Sequence, residues 1–110
     1  MTHLRRATLL FVALLLGACA PDPCAKRCAN DPEPDNVTVT RCRDTQSRIN
    51  TATGPCATEI RAARDCINVN TVCNSGGRSE YVAGTCDRQN SAVVECCLRN
   101  IGQAPACALR

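Results

Sequence analysis

A chain of 110 residues with eleven cysteines, one tyrosine, one phenylalanine and no tryptophan has little bulk for a core and no aromatic set on which nucleobases could stack. Its 13 Lys and Arg stand against 10 Asp and Glu, and Arg5 and Arg6 lie in the first six residues, so the remainder is close to neutral and offers no field for gathering nucleic acid. The single histidine, His3, is also at that end, which removes Ser-His and Cys-His catalysis, histidine zinc sites and histidine pH switches from the rest of the chain.

Met1 to Arg6 is basic and carries no acid, and Ala7 to Ala18 reads ATLLFVALLLGA without a charge. A basic start, a short apolar run and small residues at its end make a secretion signal. The run is too short to span a bilayer, which takes about 20 residues. Cleavage before Pro21 would satisfy the small-x-small rule, but proline at the scissile bond is a poor choice. Leu16-Gly17-Ala18-Cys19 instead resembles the lipobox of bacterial lipoproteins. The resemblance implies cleavage after Ala18, a diacylglycerol on the Cys19 thiol and acylation of the freed amine. Three acyl chains hold a membrane far better than one, which binds only marginally. The chain then divides into a signal (1–18), a lipidated cysteine with a short tether (19–23) and a cysteine-rich helical domain (24–110). Ala20 rather than aspartate after the lipidated position favours, by the same resemblance, the outer membrane of a two-membrane cell. Ala20-Pro21-Asp22-Pro23 spans at most about 14 Å when extended.

With Cys19 set aside, ten cysteines remain and can all pair: Cys24, Cys28, Cys42, Cys56, Cys66, Cys73, Cys86, Cys96, Cys97 and Cys107. Such a density in a short exported chain reads as a disulfide scaffold. The core is expected to be thin, built largely of alanine and cysteine, with each bridge adding about 2–4 kcal/mol.

The elements follow in order. Cys24 and Cys28, at i and i+4, would share a helix face. Asp31 to Asp35, DPEPD, is a breaker and a solvated loop. Val39, Cys42, Gln46 and Ile49 have helical spacing, although Asn36 to Thr40 (NVTVT) also alternates like a strand. Gly54-Pro55 interrupts, and Cys56, Ile60, Ala63 and Ile67 form the stripe of a second helix. Asn74-Ser75-Gly76-Gly77 is a turn. A last helix is expected from about Asp87 to Asn100, capped by Thr85 or Asp87 and stopped by Gly102. Val93, Val94, Cys97, Leu98 and Ile101 would be its inward residues. The fold class is therefore a small all-α, disulfide-rich domain of three to four short helices stapled by up to five disulfides.

Cys56–Cys66, Cys86–Cys96 and Cys97–Cys107 share C-x9-C spacing. Twin C-x9-C helices resemble the coiled-coil-helix hairpin proteins of the mitochondrial intermembrane space, in which two disulfides join antiparallel helices. The export signal, Cys73 and the doubled Cys96-Cys97 depart from that family. What carries over is the geometry of two helices stapled side by side. Cys96 and Cys97 point about 100° apart on a helix and should reach two different neighbours. The full connectivity stays open.

The acids are scattered, no glycine-rich phosphate loop appears, and no C-x2-C redox motif is present. No catalysis and no cofactor are expected. The favoured function is a membrane-anchored binding or structural module at the bacterial cell envelope. Its partners would be the membrane, through the lipid on Cys19, and an unknown envelope protein or ligand, with no nucleic acid. One alternative is a thiol-based zinc- or copper-binding lipoprotein, to which Cys24-x3-Cys28 and Cys96-Cys97 could contribute. Another is a secreted, non-lipidated inhibitor or toxin-like module with Cys19 unmodified.

Overall fold

The computed structural model describes residues 22–109. The expected secretion signal, Cys19 and the first part of the expected tether lie outside the described residues. Three α-helices follow in order: α1 (Asn36–Thr51), α2 (Ala57–Val69) and α3 (Asp87–Arg99). A two-stranded hairpin, β1 (Thr71–Cys73) and β2 (Ser79–Tyr81), sits between α2 and α3, and a 3-10 helix, Pro105–Leu109, follows α3. The class is the mainly helical, disulfide-rich one expected, with the small hairpin added.

Residues 24–28 do not form the helix expected there. The Cys24 N–H donates to the Asp22 carboxylate at 2.9 Å, and the Cys28 N–H donates to Asp31 at 2.9 Å. Short acidic side chains thus take backbone donors that a helix would have used, which favours turns. Cys24 bonds Cys42 in α1, while Cys28 bonds Cys73 in β1.

The ambiguous NVTVT stretch is the first turn of α1. Asp35 decides it as the N-cap, accepting from the Thr38 N–H at 2.7 Å. That bond holds the Asp35 carboxyl below the usual carboxylate range. At the other end, the C-cap Ala52 donates its N–H to the Ile49 carbonyl, and Arg61 of α2 adds bonds to the carbonyls of Ile49 (3.3 Å) and Ala52 (2.7 Å). α2 is then entered through Cys56, its N-cap, at φ 68°. A residue with a side chain adopts this left-handed conformation at a cost of about 1–2 kcal/mol; here burial and the bond to Cys96 hold it. α3 is capped by neither Thr85 nor Asp87. Its N-cap is Cys86, whose N–H donates to the hydroxyl of Tyr81, the single tyrosine, at 3.1 Å.

α2 and α3 pack antiparallel, joined by Cys56–Cys96 and Cys66–Cys86, with Cα–Cα distances of 5.6 and 5.8 Å. Each C-x9-C pair therefore supplies one half of two staples, about 15 Å apart along the helices at 1.5 Å per residue. Cys97 turns away from this pair and bonds Cys107 in the 3-10 helix. The doubled cysteine thus ties α3 to two neighbours.

The hairpin pairs Thr71 with Tyr81, Val72 with Glu80 and Cys73 with Ser79. Asn74 closes its turn, its side-chain oxygen accepting from the N–H groups of Gly76 (2.9 Å) and Arg78 (3.0 Å). The 28–31 loop clamps onto this turn. The Asn30 N–H donates to the Gly77 carbonyl at 2.8 Å, and Asp31 accepts from both the hydroxyl and the N–H of Ser79. Those bonds, the Ser79 hydroxyl first, lower the Asp31 carboxyl to about 2.

Twelve apolar residues are buried among the described residues, six of them cysteines and three alanines. Only Ile49, Ile60 and Val93 are larger aliphatics. The expectation for α3 fails in part: Val93 and Cys97 are buried, but Leu98 is 65% exposed and Ile101 76%. α3 meets α2 along the Val93–Cys96–Cys97 edge, and among the described residues no further layer covers the side on which Leu98 and Ile101 stand.

Candidate functional site

Two helices, α2 and α3, held at disulfide spacing beside α1, with alanine on the inner face and no large aromatic among the three, leave volume unfilled. An apolar cavity of about 550 Å³ lies between them. Ile49 of α1, Ile60, Ala63 and Ile67 of α2, and Val93 and Val94 of α3 form its walls. Leu109 of the 3-10 helix contributes another apolar side chain. The volume is within the roughly 300–1,000 Å³ of small-molecule sites.

The polar part of the lining includes Arg27, Asn68 and Thr71. Arg27 is half-buried. Its Nη1 donates to the carbonyls of Asn68 (2.7 Å) and Thr71, and its Nη2 donates to the Asn68 side-chain oxygen. All three acceptors are neutral, and no carboxylate among the described residues lies within 4.0 Å of the guanidinium. The Asn68 carbonyl belongs to the C-terminal end of α2, which carries about half a negative charge, and the Thr71 carbonyl stands just beyond it at the start of β1. Part of the Arg27 charge is therefore uncompensated beside the cavity. Arg64, also in the lining, differs: Asp65 neutralises it at 2.8 Å. Pro23, Gln46, Arg64 and Asn68 line both this cavity and a neighbouring polar groove, and so mark where the two meet.

The ten cysteines from Cys24 to Cys107 form five disulfides: Cys24–Cys42, Cys28–Cys73, Cys56–Cys96, Cys66–Cys86 and Cys97–Cys107. The sulfurs of Cys56, Cys97 and Cys107 lie within 4.8 Å of one another. They belong to two adjacent disulfides, and a metal is held by thiolates, so ligation there would require both bonds to be reduced. Cys24 and Cys28 go to different elements, as do Cys96 and Cys97, so neither pair offers two adjacent sulfurs to one ion. Among the described residues no helix is long and apolar enough to cross a membrane.

No protein-family model matches the chain, and neither a curated protein nor a solved structure matches it.

Sequence reasoning placed Ile67 and Val94 in the core; they are walls of an open cavity instead, and it did not single out Arg27. The signal for the cavity was the scarcity of large side chains on the inward faces. Nothing local marks Arg27, because its acceptors are more than forty residues away.

Proposed function

We propose that this protein is a lipid-anchored, disulfide-stapled binding or structural module at the external or periplasmic side of a bacterial cell membrane, and that it carries out no catalysis. The observation that carries the reading is the place of Cys19. It ends the apolar run in Leu16-Gly17-Ala18-Cys19, and the stapled domain uses the other ten cysteines in five bonds. The Cys19 thiol is the one the scaffold does not need. Ala20 favours the outer membrane where there are two. The cavity supports the binding half of the reading, and its lining begins at Pro23, only four residues from the proposed anchor. The absence of histidine after His3 supports a role without acid–base or nucleophilic catalysis.

Intact mass spectrometry of membrane-extracted protein tests this. The expected mass is residues 19–110 plus a diacylglyceryl group and an amide-linked acyl chain, less ten hydrogens for five disulfides. A soluble export product with unmodified Cys19 would overturn the anchor and favour the secreted inhibitor-like module. The thiol-metal reading draws on the sulfur cluster of Cys56, Cys97 and Cys107. Titration of free thiols in protein purified without reductant decides it: several thiols with bound zinc or copper would replace the stapled module, and none would remove the metal.

A further inference from the structure

We propose that the cavity between α1, α2 and α3 binds one long-chain fatty carboxylate, with its hydrocarbon against the aliphatic walls and its head group on Arg27. This names a ligand for the binding module proposed above and rests on that reading only for where the ligand is met. Two independent observations point to it. The wall surface is mostly apolar, from Ile, Val, Ala and Leu side chains, which suits a hydrocarbon, while Arg27, Gln46, Arg64, Asn68, Thr71 and Asn90 supply the polar remainder. The volume of about 550 Å³ suits a single chain rather than a two-chain lipid.

The second observation is charge. A half-buried guanidinium without a carboxylate partner is an uncommon thing to leave beside an apolar cavity. Arg27 has five N–H donors, and three of its hydrogen bonds go to Asn68 and Thr71. Its Nε and one N–H of Nη2 make no hydrogen bond among the described residues. A guanidinium offers such donors as a fork that matches the two oxygens of a carboxylate. The same bonds to Asn68 and Thr71 fix the guanidinium in place, so little side-chain entropy is lost when an anion arrives. Arg64 cannot do the same, because Asp65 already occupies it.

The test is displacement of an environment-sensitive fluorescent fatty acid from the exported, oxidised protein. The unmodified chain contains no tryptophan, so its probe is read without interference from indole emission, and in the tryptophan variants the probe is excited at a wavelength that indole does not absorb. Palmitate should displace the probe saturably, about tenfold more strongly than hexadecanol, the worth of one charge-assisted interaction. Arg27→Met should bring palmitate down to the level of hexadecanol and leave hexadecanol unchanged, with Arg27→Lys recovering part of the difference. Ile67→Trp, at a wall position 40% exposed, should weaken both ligands by filling the cavity, and Val94→Trp should do so from the opposite helix. Equal displacement by palmitate and hexadecanol in the unmodified protein would overturn the assignment of the head group. No saturable displacement, or full affinity in both tryptophan variants, would overturn the site. If Arg27→Met fails to fold, the palmitate–hexadecanol contrast in the unmodified protein still decides. Protein whose intact mass shows no lipid on Cys19 is titrated in the same way, so the anchor and the ligand fail separately.

Discussion

Replacing Cys56 and Cys96 together by alanine opens the outer of the two rungs that join α2 to α3 and leaves no free thiol behind. The bridged residues are 40 apart in sequence, and in a chain with no other bond such a closure is worth about 3.9 kcal/mol of unfolded-state entropy. Cys66–Cys86 lies inside that loop and shortens it. With the inner rung intact, the ring closed by the outer one runs from 56 to 66, across, and from 86 to 96. It holds about 20 residues, which lowers the value to about 3.3 kcal/mol. The inner rung, with the outer one intact, divides a ring of 40 into two equal arms, an effective length of about 10, so removing it instead costs about 2.7 kcal/mol. The outer pair is also buried, Cys56 at 4% exposure and Cys96 at 8%, so losing two sulfurs there adds about 1 kcal/mol for the space left. The expected loss is therefore about 4 kcal/mol, a large share of the roughly 5–15 kcal/mol that a domain possesses. Urea unfolding followed by far-UV circular dichroism, with the other four bridges oxidised, measures it. A loss below about 1 kcal/mol would refute the reasoning that staples replace the missing core, because the entropy of the open ring would then be unimportant.

Other outcomes are expected on the same grounds. The Asp31 carboxylate, lowered to about 2 by its bonds to Ser79 and Cys28, stabilises the clamp fully above its ordinary value near 3.8 and loses that effect as the pH falls toward 2. Amide-exchange protection factors in the 71–81 hairpin, which divide out the intrinsic pH dependence of exchange, should therefore fall across that window, and Asp31→Asn should abolish that fall. Gly77→Ala should destabilise the hairpin by about 1–3 kcal/mol, since φ is 72° and a Cβ would sit 2.8 Å from the Asn30 amide nitrogen; a thermal melt reads it. Leu98→Ser should leave stability within about 0.5 kcal/mol of the parent, because the side chain is exposed; a loss above about 2 kcal/mol in urea would place Leu98 in the core after all.

The helices were legible wherever a local rule acts. The Gly54-Pro55 break, the stripe of Cys56, Ile60 and Ala63, and the Asn74–Gly77 turn depend on residues within a few positions of one another. The Cys24–Cys28 helix was misread because i,i+4 spacing was weighed without Asp22 and Asp31, whose carboxylates capture the Cys24 and Cys28 N–H groups. Val94, Leu98 and Ile101 were misread for a different reason. Apolar periodicity reports which residues could be buried, whereas burial needs a partner surface, and so small a domain has too few layers to cover two faces of α3.

The residues alone determined the material of the fold: ten cysteines available to pair, too few large side chains for a full core, and helices interrupted by glycine and proline. Composition and local spacing set these, and they hold whichever cysteine meets which. Only the tertiary structure decided that Cys56 meets Cys96 while Cys66 meets Cys86, that Arg27 reaches the end of α2, and that the space between the helices stays open. Each of these depends on contacts between residues distant in sequence, where the entropy of closing the loop competes with burial over the whole chain. No single stretch of sequence records the outcome of that competition.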